Sequence, residues 1–232
     1  MTLPSAKQHD LAVTLRVLAR LLQYPDAQQR GHLQEMRSAL HGARSLGHQR
    51  LAELDALIDA LLSHGPIDTE ADYVQLFDCG RATSLHLFEH VHGDSRDRGP
   101  AMIDLAQTYQ AAGLYLAEGE LPDYLPVVLE FASTQPPAQA RAFLAEMGHI
   151  LNAIFNALGK RKSRYASVLG ALLEIAGETA RPVTVAPDAP LDEAWAEPAA
   201  FDGCSTQGQA RPGQVQPVHI VRKPATAPGA TA

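Results

Sequence analysis

Two histidines and a glutamate stand at metal-ligand spacing in His86-Leu87-Phe88-Glu89-His90. The string is the H-x-x-E-H pattern of inverted zinc peptidases. On a helix, residues four apart share a face, so both imidazoles could reach one zinc ion. His92 adds a third imidazole nearby. A catalytic zinc also needs a further protein ligand, in such enzymes a distant carboxylate, and the sequence marks none. The helix carrying the string is short, wedged between Gly80 and Gly93. The preferred reading gives His86, Glu89 and His90 hydrogen bonds at a helix end or along a surface groove. It assigns no metal, no cofactor and no catalytic residue, and a zinc peptidase is kept as the alternative.

Cys79, beside Gly80, is a second candidate: a thiol nucleophile with His86 as its base. Such chemistry needs a base oriented by a third group, and donors for an oxyanion. No nucleophile elbow or oxyanion loop is recognisable, and Cys79 is read as a buried or half-buried thiol. The other cysteine, Cys204, lies in the C-terminal stretch. Two cysteines so spaced make no disulfide framework, and both are expected as free thiols in a reducing compartment.

Two further stretches crowd charge, aromatics and turn formers. Gly93-Asp94-Ser95-Arg96-Asp97-Arg98-Gly99 alternates acids with arginines between glycines, just before a helix. It reads as a salt-bridge network that locks helix to helix, as a rim whose Asp94 and Asp97 meet a cationic peptide, or as both. Glu120-Leu121-Pro122-Asp123-Tyr124-Leu125-Pro126, followed by Glu130 and Phe131, combines acids with a rigid turn. Asp123 is expected to cap the helix that follows. The same turn, bearing acids and Tyr124 beside an apolar groove, also suits a receptor for a peptide.

The elements that must position these residues are helices. Leu11, Leu15, Leu18 and Leu22 recur at helical spacing, predicting a helix from Asp10, as its cap, to Gln23. Pro25 ends it, and a second helix covers 27–40. A third carries Leu51, Leu54, Leu57, Ile58, Leu61 and Leu62; a fourth starts at Asp68 and turns Tyr73, Leu76 and Phe77 inward until Gly80. Ser84 is expected to cap a short helix to His90, and Asp94 or Ser95 the next, which ends at Gly113. Others are expected from Asp123 to about Ala132, from Pro136-Pro137 through Leu158, and from Ser163 or Arg164 to about Glu178. No stretch alternates as a strand does. The fold class is therefore all-α: a single helical bundle of eight or nine helices over residues 1–180. Residues 181–232 are rich in Pro, Ala and Gly and read as a disordered tail that cannot bury enough surface to offset its ordering entropy.

Composition narrows the function classes. Hydrophobic residues make up 46% of the 232, enough for a core, and aromatics only 6%. A formal net charge of −7 argues against a nucleic-acid partner, which calls for a basic face. No run reaches the roughly 18 apolar residues of a membrane span. The N-terminus lacks the cationic start and apolar stretch of a signal peptide. The expected location is the cytoplasm, with no direct membrane insertion.

On Tyr73-Val74-Gln75-Leu76-Phe77-Asp78, Ser84 to His90, His92 to Gly99 and Glu120 to Pro126, the chain resembles the NarJ-type nitrate reductase molybdenum cofactor assembly chaperones. These belong to the redox-enzyme maturation chaperones that include the TorD and DmsD types. The resemblance runs from about Leu11 to Glu178. It implies an all-helical protein without catalysis. Its partner would be the N-terminal peptide of the apo α subunit of nitrate reductase, held competent for cofactor insertion and attachment to the membrane anchor. The wider group has an E-x-P-x-D-H-like motif at its peptide groove. Glu120, Pro122 and Asp123 resemble it, with Tyr124 where histidine is usual and the spacing tighter by one. The residues expected to form the groove are Tyr73, Phe77 and Leu125 as apolar floor, with Tyr124 beside them. The expected polar partners are Asp78, Glu89, Asp94, Asp97, Glu120 and Asp123. Charge reversal at Asp123 is expected to weaken peptide binding while helicity stays intact. A generic helical adaptor remains a rival, and pairing into a homodimer is left open.

Overall fold

Leu15 and Leu18 of the first helix and Leu22 just after it are completely buried, and this buried stripe organises the molecule. The structure is a computed structural model and describes residues 6–93 and 95–182, with side chains from residue 9 onward. Asp94, residues 183–232 and, with them, Cys204 and the expected tail lie outside the described residues. Among the described residues there are eleven α-helices and no strand.

Helix α1 (Ala6–Leu21) lies between α8 (Leu125–Thr134) and α3 (Leu33–Ala43). Its leucine stripe faces Val128, Leu129 and Ala132 of α8, which are also fully buried. At about 25 cal/mol per Å² of apolar surface removed from water, such seams supply most of the drive to fold. Helix α11 (Ala166–Ala176) is buried on nearly every side, from Ser167 to Ile175. A helix without a polar face belongs in the centre of a bundle, and α11 is flanked by α10 (Gly148–Lys160), α9 (Pro137–Glu146) and α4 (His48–Ser63). It stops where Gly177 takes up φ 77°, the left-handed geometry glycine adopts without strain.

The helix count exceeds the expected nine because two expected helices are each divided. The second splits at His32 into α2 (Ala27–Gly31) and α3, and the eighth splits at Met147 into α9 and α10. Apolar periodicity runs through the second break, and α2 has only Ala27 as an apolar side chain, so the pattern places neither break. Several expected caps also differ. Helix α1 starts before Asp10, and α5 (Pro66–Tyr73) starts at Pro66, leaving Asp68 in its first turn. Helix α6 (Leu87–Val91) is preceded by His86 and α7 (Arg98–Ala111) by Asp97, so neither Ser84 nor Ser95 occupies the cap position. Pro66, Pro126 and Pro137 all fall in first turns, where the missing amide costs no intrahelical bond.

Helix α5 continues into a π-helical turn, Val74–Asp78, closed by the Cys79 amide donating to Val74 O at 3.0 Å. Two of the turn's carbonyls are bonded from afar: Arg161 donates to Leu76 O and Gln75 O, both at 3.2 Å. Gly80 is required behind this turn, since a Cβ there would lie 2.8 Å from Leu76 O. No helix among the described residues is long and apolar enough to cross a membrane.

Candidate functional site

Four segments meet in one cleft of about 510 Å³. Gln23 and Tyr24 follow the end of α1, and Tyr73, Phe77 and Asp78 come from α5 and its π turn. Glu120, Leu121, Tyr124, Val127 and Glu130 come from the turn before α8 and from α8 itself. Leu85 and His86 close one wall.

The floor is aromatic. Tyr73 meets Tyr24 edge-on at 5.6 Å between ring centroids and Phe77 at 4.8 Å. His86 lies over Tyr124 at 5.2 Å. Tyr73 is pinned because its hydroxyl donates to Leu22 O at 2.8 Å, and burial pushes its pKa far up, so it stays a neutral donor. Tyr24 and Leu121 are each 43% exposed, so the floor opens onto apolar surface that faces solvent. The rim is acidic: Asp78, Glu120 and Glu130 are exposed carboxylates, and neither Lys nor Arg lines the cleft. Past Val127 and Glu130 it runs into a neighbouring cleft of about 350 Å³ lined by Tyr115 and Phe131, where Arg16 and Arg20 stand opposite in charge to Glu120 and Glu130. Shared lining residues make the two one elongated groove with an acidic stretch.

Of the expected site residues, Tyr73, Phe77, Asp78, Glu120 and Tyr124 come together in this groove. Leu125 is fully buried beneath it. Glu89 and Asp97 lie elsewhere, Glu89 half-buried against Ser84 and Arg98, and Asp97 exposed beside Ser95. Asp94 is outside the described residues.

Asp123 is 0% exposed. It does not cap the helix that follows it: α8 is preceded by Tyr124, and the Asp123 carboxylate turns toward α6 instead. Phe88 N donates to Asp123 Oδ2 at 3.2 Å and Leu87 N to Asp123 O at 3.0 Å. His86 Nδ1 donates to Oδ1 at 3.4 Å, and Arg98 Nη2 stands 3.8 Å from Oδ2. Asp123 thus satisfies the orphan amides of a helix 35 residues upstream. An antiparallel bridge between His86 and Tyr124 fixes the two segments in register.

The H-x-x-E-H string does not form a helical pair of ligands. His86 precedes α6 in extended geometry, φ −87° and ψ 104°, so His86 and His90 do not share a helix face. His90 Nε2 donates to Ser84 O at 2.9 Å, and Glu89 accepts from Ser84 Oγ at 2.6 Å and from Arg98 at 3.4 Å. Among the described residues no group of three His, Cys, Asp or Glu side chains is placed to hold a metal ion. Arg98 of the glycine-flanked loop points inward to Glu89 and Asp123, as a helix-locking network requires. Cys79 differs from expectation: it is exposed, at the residue that closes the π turn.

The hydrogen bond to Asp123 raises the pKa of His86 above 6.5, against the opposing effect of burial. Glu89 pulls the same way and Arg98 opposes. A group whose folded pKa is raised stabilises the fold fully below its unfolded value and loses that contribution as pH rises through the folded value. The stability difference between the native chain and His86→Gln should therefore be largest below about pH 6.5 and shrink at alkaline pH. Urea titrations across that range measure it, and a difference that grows with pH would contradict the pairing.

Sequence reasoning missed Tyr24 and Leu121 as groove residues. It counted Glu130 among the acids following the Glu120–Pro126 turn but not among the groove's polar partners, although it is the only charged residue of α8. That isolation was the available signal. Tyr24, adjacent to Pro25, carried none beyond ending a helix.

The chain matches the family model of the nitrate reductase delta subunit over residues 43–169. It is 43% identical over 164 residues to the nitrate reductase molybdenum cofactor assembly chaperone NarJ of Escherichia coli K12, covering 71% of this chain and 70% of that protein. It is 31% identical over 165 residues to the probable nitrate reductase molybdenum cofactor assembly chaperone NarJ of Bacillus subtilis 168, covering 71% and 88%. The crystal structure of a putative redox enzyme maturation protein from Archaeoglobus fulgidus superposes with a TM-score of 0.50 at 19% identity, over 77% of this chain and 98% of that one, a likeness of fold.

Proposed function

The chain belongs to the nitrate reductase delta subunit family, and on that premise we propose that it is a maturation chaperone for a molybdenum-containing nitrate reductase. It binds the apo catalytic α subunit through that subunit's N-terminal peptide and holds it competent for molybdenum cofactor insertion and membrane assembly. It works in the cytoplasm, and no bond is made or broken.

The observation that carries this reading is the groove itself. An aromatic floor from Tyr24, Tyr73, Phe77 and Tyr124 lies inside a rim of Asp78, Glu120 and Glu130. A basic amphipathic peptide fits such a surface, its apolar face on the rings and its cations toward the acids. Carboxylates at an exposed rim steer the encounter and set register more than they add affinity, which suits a client that must be released.

Calorimetry of the full chain against a synthetic peptide of the α-subunit N-terminus tests the proposal. Saturable one-to-one binding is expected, with recovery of the α subunit when the chain is used as bait. A chain that ignores the peptide and recovers only unrelated proteins would instead be a general helical adaptor.

A further inference from the structure

A second cleft, of about 330 Å³, lies between the C-terminal end of α4, the start of the π turn and the connection from α10 to α11. Its chemistry is opposite to that of the groove. The connection reads Gly159-Lys160-Arg161-Lys162-Ser163-Arg164, a dense basic run in a chain of net charge −7. Arg161, Lys162 and Arg164 all line the cleft, with His64 beside them and Asp72 as the single acid. The guanidinium of Arg161 is held by neutral acceptors, Gln75 O, Leu76 O and Thr83 Oγ1, so it is oriented without being neutralised. No carboxylate among the described residues pairs with Lys162 or Arg164.

Lys162 has φ 53° because it closes α10: its amide donates to Gly159 O and that of Ser163 to Leu158 O, both at 3.0 Å, a helix-ending turn that sets the lysine between two arginines. Tyr165, only 7% exposed, also lines the cleft, and its hydroxyl is buried with no hydrogen-bond partner among the described residues, where a buried hydroxyl nearly always has one. Burial raises the pKa of Tyr165, keeping it a donor. Leu57, Leu61 and Leu76 supply an apolar wall.

We propose that the Arg161–Lys162–Arg164 cleft binds a compact phosphate-bearing small molecule, its oxyanion met by the three cations and its body resting on the leucine wall. Planar guanidinium forks and an ammonium suit a multiply charged oxyanion. A concave site of this volume suits a small ligand better than a flat polyanion surface. Tyr165 packs against Phe77 at 5.1 Å and Tyr73 at 6.2 Å, so an occupied cleft would touch the ring cluster that floors the groove.

Pyrophosphate and inorganic phosphate, titrated into the full chain and followed by calorimetry and amide chemical shifts, test the site. Saturable binding of one pyrophosphate per chain is expected, with Kd at or below about 1 mM and shifts clustered at 161–165 and around Leu76. Inorganic phosphate should bind the same place more weakly. Lys162→Ala with Arg164→Ala, both exposed positions, should weaken pyrophosphate at least about tenfold with unchanged helicity. Absence of saturation, equal affinity in the double variant, or tighter binding of duplex DNA or phosphatidylglycerol vesicles through these residues would overturn the proposal.

Discussion

Asp123→Ala is expected to destabilise the protein by about 3–5 kcal/mol, the cost of breaking a buried charged pair and leaving its partners uncompensated. The carboxylate has no solvent exposure, yet it serves Phe88 N, His86 and Arg98. Its removal strands the helix-end amide of Phe88 and takes the carboxylate partner from His86, while Arg98 keeps Glu89; each buried group left unsatisfied costs about 1–3 kcal/mol. Against a typical total of about 5–15 kcal/mol, that leaves a marginal fold. Asp123→Asn keeps an acceptor for Phe88 N and should cost less, about 1–2 kcal/mol. Urea denaturation followed by circular dichroism ranks the two. Asp123→Ala within about 1 kcal/mol of native would mean that the α6 cap contributes little. Charge reversal at this position should therefore cost helicity together with binding, whereas the sequence motif alone suggested a surface acid whose loss would leave helicity intact.

The opposite pattern is expected at the rim. Asp78→Lys combined with Glu130→Lys should weaken binding of the basic client peptide about 10- to 100-fold, or roughly 1–3 kcal/mol, while stability changes by less than about 0.5 kcal/mol. Both side chains are exposed, and neither carboxylate forms an ion pair among the described residues, so the fold does not depend on them. Asp78 faces a stretch lined by neither Lys nor Arg, and Glu130 stands where that stretch meets Arg16 and Arg20, so reversal replaces attraction for a cationic peptide with repulsion. The residual affinity should depend less on salt, since the screened component has been removed. Calorimetry at two ionic strengths reads both effects. Unchanged affinity would move the client to another surface, and a folding defect would show that these acids are structural.

The two variants separate residues that look alike in sequence. Asp123 and Glu120 sit three apart in one acidic turn, and nothing local distinguishes them. In the fold Glu120 is exposed at the groove, accepting from the amide of Ala117 at 3.0 Å, while Asp123 is sealed beneath. The difference arises because residues 85–87 pair with 123–125 and draw Asp123 inward against the start of α6. The zinc-like string fails for the same reason. His86 is held extended by that pairing, so the four-residue spacing never becomes a shared helix face.

Apolar periodicity by itself determined the all-α class, the leucine seam of α1 and the apolar run of α11, because helix burial repeats with a period the sequence displays directly. Tyr73, Phe77 and Tyr124 were also legible as groove residues, through the motifs that carry the family resemblance. The breaks at His32 and Met147, the exposure of Cys79, the convergence of Tyr24 with Glu120 and Glu130, and the commitment of Asp123 to a distant helix were decided by tertiary structure alone. Each depends on which segments meet across long stretches of chain, and a one-dimensional pattern encodes the faces of helices but not their partners.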